Sequence, residues 1–394
     1  MLIYSFVFLL AGAGLFFNVN KSRTRKKTYL VVLFSCLLLV GICRNPTVGT
    51  DMRTFYNPYY PAFADVSWSN VQHVTSSEHW ELGYCLYCKF LCMFSTDPQF
   101  FIFVTSIVTI VPFAFFIYKN SPDVVFSSFF YIGFHIYTML LSPARQALAI
   151  AILVGIGYEQ LKKKNYVVYV LIVYIAYLFH SSVLCALLLI IFDFLPYKKT
   201  TIIWLTCSLL GFGFAYTKII PYLITQMGLT KTYGIYTVGK SHAKGYITIH
   251  TLTCFFIPLM IFIVFIFYMN FDDNYIPSNS IYYKTCVRKR KNVIVVQRRY
   301  VIPEWKSSFL AYAVFLVVIF RFSAFFINVM SRMAYYFMPF IMIAYPFVRN
   351  YIKLENNRKN IDRLVYGSIT CFYFYILIFR AKSLWGILPY KTFF

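Results

Sequence analysis

Two arginines and an aspartate fall within ten residues in Arg44-Asn-Pro-Thr-Val-Gly-Thr-Asp51-Met-Arg53. Arginine forks match phosphate oxygens, and a carboxylate held beside arginine stays ionised and can orient a hydroxyl or accept its proton. In Ser142-Pro143-Ala144-Arg145-Gln146, the proline suits a first helical turn. Arg145 then stands at a helix N-terminus, where the dipole is also positive, and the two together make an anion site. Phe179-His180-Ser181-Ser182 holds an imidazole that either is satisfied structurally or faces a cavity and hydrogen-bonds substrate. Arg321 and Arg332 flank Asn328, and Arg332-Met-Ala-Tyr335-Tyr336 puts a cation and two phenols on neighbouring helical positions. Each pattern also has a plainer reading: an interfacial loop, an arginine snorkelling to lipid phosphate, a structural clamp.

Arginines converging with few acids and many aromatics suit an anionic head group on a lipid, a polyprenyl diphosphate, with tyrosine and tryptophan rings for sugars. Asp51 is the first choice of proton acceptor. Glu81 is second, with partial desolvation expected to raise its pKa, and His180 is third. His73, His79 and His242 lack metal-like spacing, and the chain has no phosphate-binding glycine loop. No metal or cofactor is therefore expected, and the driving energy must arrive in the substrate.

The elements that position these groups follow from composition. Of 394 residues, 60% are hydrophobic and only 13% charged, with 44 Phe and 35 Tyr. At about 20 residues per crossing, that apolar content fills about a dozen spans. A soluble enzyme, a disordered chain and a single-anchor receptor are excluded, and without alternating strands so is an outer-membrane barrel. The expectation is an all-α polytopic integral membrane protein, a single transmembrane domain over 1–394 with about 12 transmembrane helices. Apolar runs fall at 2–18, 28–43, 98–118, 122–141, 145–160, 166–180, 181–195, 200–217, 249–269, 307–327, 333–348 and 364–379.

The first run is no cleaved signal, because the basic cluster KSRTRKK follows it rather than preceding it. That cluster puts residues 20–27 in the cytoplasm. The net charge of +24 reads as the positive-inside rule, not as a nucleic-acid surface. Residues 166–195 form one long helix or two short ones hinged at His180. Two spans place the basic loop 270–306 in the cytoplasm, with 24 of the 37 basic residues inside and both termini outside. The long segments 44–97, with an amphipathic helix near 80–95, and 218–248 are then external. Cys85, Cys88 and Cys92 follow one helical face and read as packing.

The motifs, in order, resemble the Wzy-type polysaccharide repeat-unit polymerases, in the EpsG-like branch. They are Arg44 with Val-Gly49-Thr50-Asp51…Tyr56, Glu81-Leu-Gly-Tyr84, Arg145-Gln146-Ala-Leu-Ala and Phe179-His180-Ser181-Ser182, followed by Arg332…Tyr335-Tyr336-Phe and Leu388-Pro389-Tyr390-Lys391. One departure is Val183 after the His-Ser-Ser, where alanine is expected. The resemblance implies a GT-C-like, metal-independent membrane glycosyltransferase of the bacterial inner membrane with a periplasm-facing site. It would join undecaprenyl-diphosphate-linked oligosaccharides into O-antigen, capsular or exopolysaccharide chains, beside a flippase and a chain-length regulator. Asp51, Glu81 and His180 would be catalytic. Arg44, Arg53, Arg145, Arg321 and Arg332 would hold diphosphate, and Tyr56, Tyr84, Gln146, Tyr335 and Tyr336 would touch substrate. A flippase for the same lipid would show two pseudo-symmetric halves, which the sequence lacks. A ligase passing finished polymer to a lipid has similar topology.

The charge split makes a direct test. A cysteine at Ser241 (Ser241→Cys) is expected to react with an impermeant maleimide added outside cells, and one at Asn292 (Asn292→Cys) only after permeabilisation. The opposite result at either position breaks the two-span reading of 166–195.

Overall fold

Inside a bilayer every backbone N–H and C=O must be satisfied within its own segment, which drives apolar runs into helices. A computed structural model describes residues 1–53, 59–72, 80–196, 198, 200–208, 211, 222, 245–269, 286–290, 293–297 and 305–394. Tyr56, His73, His79, His242, Ser241, Asn292, most of 218–248 and much of 270–306 lie outside the described residues.

The chain is built of helices, apart from a two-stranded antiparallel ribbon that pairs β1 (Cys286–Arg290) with β2 (Val293–Gln297). Helix α1 spans Leu2–Ala13 and α2 Arg23–Ile42. The basic cluster, expected as a loop, opens α2 instead, because the Ser22 side chain accepts from the Arg25 N–H and starts the helix there. Next come α3 (Leu82–Cys92) and α4 (Pro98–Asn120), the latter capped by Asp97 with Pro98 in its first turn. Asp123 caps α5 (Val124–Gly133) through the N–H groups of Val125 and Phe126. The run 122–141, expected as one span, breaks at His135, whose φ of 60° is left-handed, and resumes as α6 (Ile136–Leu140). Helix α7 (Ala144–Ile152) continues through a π turn at Leu153–Gly157 into α8 (Tyr158–Lys162). A hairpin follows: α9 (Tyr166–Tyr177), a 3-10 stretch Ser181–Leu187 and α10 (Leu188–Phe194). The remainder includes α11 (Ile249–Tyr268), α12 (Ser307–Ser323), the short α13 (Met330–Met333), α14 (Met338–Arg349), α15 (Glu355–Tyr375) and α16 (Ala381–Leu384).

Twelve full-length crossings do not appear among the described residues. Three helical stretches are long and apolar enough to span a membrane: Pro98–Asn120, Ile249–Tyr268 and Glu355–Leu384. Helix α2 is as long but opens on four basic residues, and other runs are broken at His135 and at His180. Helix α14 sits at the centre, with Phe340, Ile341, Ile343 and Tyr345 at most 1% exposed.

The bundle has two distinct ends. At one, Lys164 pairs with Asp193, and the Tyr166 hydroxyl donates to the same carboxylate at 2.6 Å. This tie joins the start of α9 to the end of α10, so 166–195 is two antiparallel segments, in agreement with the charge argument. Arg349 grips Asp362 there, with Nη2 2.7 Å from Oδ2 and Nε 2.7 Å from Oδ1. Lys162 and Trp305 both donate to Asn120, at 3.0 and 3.1 Å.

At the other end, residues 44–51 and 385–392 lie side by side. The N–H groups of Asn45, Gly49 and Thr50 donate to the carbonyls of Lys391, Gly386 and Trp385 at 2.8–2.9 Å. Gly49 has φ 109° and Gly386 φ 63°, a region costly for residues with a Cβ. A Cβ on Gly386 would also lie 2.7 Å from Thr50 Oγ1 and 2.9 Å from its nitrogen. A Cβ on Gly367, by contrast, meets nothing within 4 Å on α15.

Gly386→Ala is therefore expected to destabilise the protein by roughly 1–2 kcal/mol. Gly367→Ala should be neutral or stabilising by about 0.5–1 kcal/mol. Thermal unfolding of the two detergent-solubilised variants tests the pair, and equal midpoints would show that the 44–51 and 385–392 segments are not locked together.

Candidate functional site

Helix α3 approaches the hairpin turn unusually closely. A Cβ on Gly83 would fall 2.8 Å from both the carbonyl oxygen and Cβ of Leu178. Only glycine allows that contact, and the Tyr84 N–H uses it to donate to the Leu178 carbonyl at 3.2 Å. The approach delivers Glu81, the residue before α3, to the turn after α9. Its Oε1 lies 3.0 Å from His180 Nδ1 and accepts from the Ser181 N–H at 3.1 Å. Its Oε2 accepts from Arg145 Nη1 at 2.7 Å. One carboxylate, with a side chain 17% exposed, thus joins three segments: the start of α3, the first turn of α7 and the hairpin turn.

Burial pushes the Glu81 carboxyl upward, but the His180 hydrogen bond and the charges of Arg145 and His180 outweigh it and hold the group at about 2. The expectation of a raised Glu81 pKa is thus reversed, because desolvation arrives together with partners that prefer the anion. A carboxylate this acidic is a poor proton acceptor and a strong orienting group.

Around this centre the chain is knitted by polar ties. Gln146 Nε2 donates to the Arg332 carbonyl at 2.8 Å, which fixes the Met330–Tyr336 segment against α7. Ser182 and Tyr336 share a hydrogen bond at 3.0 Å. Asp51 reaches the same region through its backbone, whose N–H donates to Ser142 Oγ at 3.2 Å, three residues before Arg145. Arg332 and Arg53 are exposed.

Several residues expected to touch substrate or diphosphate are buried in contacts within the fold. Arg44 is 2% exposed and donates from Nη1 to the Leu141 carbonyl at 2.7 Å, clamping the turn before α7. Arg321 is 3% exposed and stacks over the Tyr335 ring at 4.9 Å. Tyr84 is 1% exposed, edge-on to Trp80 and Phe101, and Tyr336 is wholly buried. Cys85 and Cys88 are buried in the same small core as Tyr84, in line with a packing role. Gly83 and Ser142 lie inside quoted motifs but have no role of their own in the sequence reading, since a small residue carries no chemical signature that marks it.

The sequence pattern of the EpsG family matches residues 27–392, nearly the whole chain. The chain belongs to the EpsG family. EpsG-like proteins are similar to Wzy-type polymerases, so its coarse role is polymerase-like work in polysaccharide biosynthesis by a membrane protein. No curated protein and no solved structure matches the chain. In EpsG terms, the Glu-Leu-Gly-Tyr and His-Ser-Ser motifs are one physical unit, the first supplying the carboxylate that the second receives.

The depressed Glu81 pKa fixes the sign of an acid effect. Stability contributed by this carboxylate is fully present above its unfolded value near 4.5 and is lost as pH falls toward about 2. The contribution is on the order of 3 kcal/mol. Between pH 5 and pH 3, the unfolding midpoint of the native protein is expected to fall more steeply than that of Glu81→Gln. Parallel curves would mean that the carboxylate is not stabilised in the fold.

Proposed function

We propose that this EpsG-family chain is a glycosyltransferase that polymerises undecaprenyl-diphosphate-linked oligosaccharide units on the outer side of a bacterial inner membrane. A flippase would supply the units and a chain-length regulator would limit the product. The observation that carries this reading is the convergence of Glu81, Arg145 and His180 on one end of the bundle.

Transfer needs a hydroxyl of the incoming unit to attack the anomeric carbon of the growing chain while the lipid diphosphate departs. The hydroxyl must lose its proton as the new C–O bond forms. Glu81 is too acidic to take it. With Nδ1–H donated to Glu81 Oε1, His180 keeps Nε2 as its basic nitrogen. The carboxylate fixes the ring and its tautomer and stabilises the imidazolium that forms, the division of labour known from acid–histidine pairs in acyl transfer. His180 thereby displaces Asp51 as first choice of acceptor, and Asp51 orients the hydroxyl.

The Arg145 guanidinium carries five N–H donors in a planar fork, enough to serve Glu81 and a diphosphate oxygen together. Arg332 and Arg53, exposed at the same end, add positive charge where the leaving group gains negative charge. Tyr335 and Gln146 position the segment that bears Arg332, and no metal ion is asked to neutralise the diphosphate.

Assay of purified protein with a lipid-linked repeat unit tests the assignment. His180→Ala is expected to cut the rate about 10²–10⁴-fold, the usual worth of a positioned base. Its pH–rate profile should lose the acidic limb that reports an imidazole. Arg145→Lys should cost roughly ten- to a hundredfold, the loss of one charged hydrogen bond, whereas Asp51→Asn should cost less. A folded His180→Ala protein with near-native rate and profile overturns the base assignment. In cells lacking the protein, single repeats on the surface mark a polymerase, no surface sugar marks a flippase, and unattached polymer marks a ligase.

A further inference from the structure

A second polar cluster, with two arginine charges, stands apart from the Glu81 centre and takes no part in the chemistry above. It comprises Arg321 at the end of α12, Arg380 after α15, and His250 in the first turn of α11. Arg321 and Arg380 both lie within electrostatic range of the His250 imidazole. Each of the two arginines keeps a buried Nε without a hydrogen-bond partner, and among the described residues no carboxylate pairs with either. Arg321 is 3% exposed, so its charge is held out of water against the Tyr335 ring, the Met338 sulfur and Cys254, none of them an anion. Uncompensated buried cations are costly unless an anion completes them.

The cluster sits at one end of a long apolar groove. Helices α11 and α15 leave between them an open trough of about 1080 Å³, with Phe256, Met260 and Phe267 along one wall and Leu364, Ser368 and Cys371 along the other. The residues facing it are strongly exposed, Phe256 at 54%, Phe267 at 78% and Leu364 at 57%. Both helices belong to stretches long and apolar enough to span a membrane. From Ile249 to Phe267 the trough runs about 27 Å at 1.5 Å per residue, close to the thickness of a hydrocarbon core. The cluster and the trough touch: His250 stacks on Phe372, which lines the trough, with ring centres 6.0 Å apart.

A ligand with a compact anionic head and one long hydrocarbon chain matches both halves. We propose that the α11–α15 groove seats the isoprenoid chain of a lipid-linked sugar, with its diphosphate held by Arg321, Arg380 and His250. This seat rests on the polymerase reading above and adds to it: joining two lipid-linked units requires two lipid diphosphates to be held at once, and the Arg145 centre holds one. Trp385 lies edge-on to His250, with centres 6.4 Å apart, and presents an aromatic face where the first sugar would emerge.

Binding rather than turnover tests the seat. The native protein is placed in phosphatidylcholine nanodiscs and titrated with fluorescent undecaprenyl diphosphate, with inorganic diphosphate and phosphatidylglycerol as competitors. Arg380→Gln is expected to weaken one class of binding at least tenfold. Ser368→Trp, which fills the trough from an exposed position, should weaken the same class comparably without changing competition by inorganic diphosphate. Arg145→Gln should leave this class intact and remove the other. Unchanged affinity in both Arg380→Gln and Ser368→Trp overturns the proposal, as does phosphatidylglycerol competing as well as the isoprenoid. Either failure leaves the polymerase reading standing if His180→Ala still abolishes transfer. Conversely, binding lost in Arg380→Gln by a protein with no transferase activity would support the seat and refute the polymerase.

Discussion

One half-buried carboxylate holds one end of the bundle together. Glu81 receives a guanidinium N–H from Arg145, an imidazole nitrogen from His180 and a backbone N–H from Ser181. In a low-dielectric setting such charged hydrogen bonds are stronger than in water, and the cost of breaking one is larger still, because the remaining charge is left uncompensated. The rest of the local architecture follows from this requirement. Gly83 exists to let α3 close onto Leu178, and the Tyr84 N–H secures the approach. Gln146, the neighbour of Arg145, then ties in the segment that carries Arg332.

The chain has only 13 acidic residues against 37 basic ones, and four of the described acids hold the fold. Asp97 and Asp123 cap helices, Asp193 closes the hairpin, and Asp362 anchors Arg349. This scarcity explains both kinds of arginine. Arg44 is buried among Tyr4, Tyr137 and Tyr390 and satisfied in part by a carbonyl. Arg321 leans on an aromatic face, a cation–π contact that holds a charge without neutralising it.

Residue type and spacing identified Glu81, Arg145, His180 and Arg332, and the fold brings these four to one end. The hairpin over 166–195 was legible from charge because basic residues constrain topology even where hydropathy is ambiguous. Other features were not legible, for identifiable reasons. An arginine at a span end has the same sequence signature whether it faces a ligand, as proposed for Arg145, or clamps a carbonyl, as Arg44 does. A tyrosine beside a motif, such as Tyr84, is equally at home in a core. The break at His135 follows Gly133, a weak signal inside an apolar run. Of its polar contacts, that with Thr138 Oγ1 at 3.1 Å is local, but that with the Tyr373 carbonyl at 3.2 Å is tertiary and invisible to a local reading.

The hairpin over 166–195 is short for a pair of membrane crossings. From Asn165 to His180 a helix rises about 22 Å at 1.5 Å per residue, and any tilt shortens the reach further. That falls below the roughly 30 Å of a hydrocarbon core. A turn exposes backbone groups that lipid cannot satisfy, and such a turn is tolerated only where it is buried in protein or lines a polar cavity. Here the Ser181 N–H is satisfied by Glu81 and the Ser182 hydroxyl by Tyr336. The groups that make the turn admissible are therefore those that hold the imidazole in place. In the proposed polymerase, the same contacts would hold the imidazole ready for the hydroxyl it is to deprotonate.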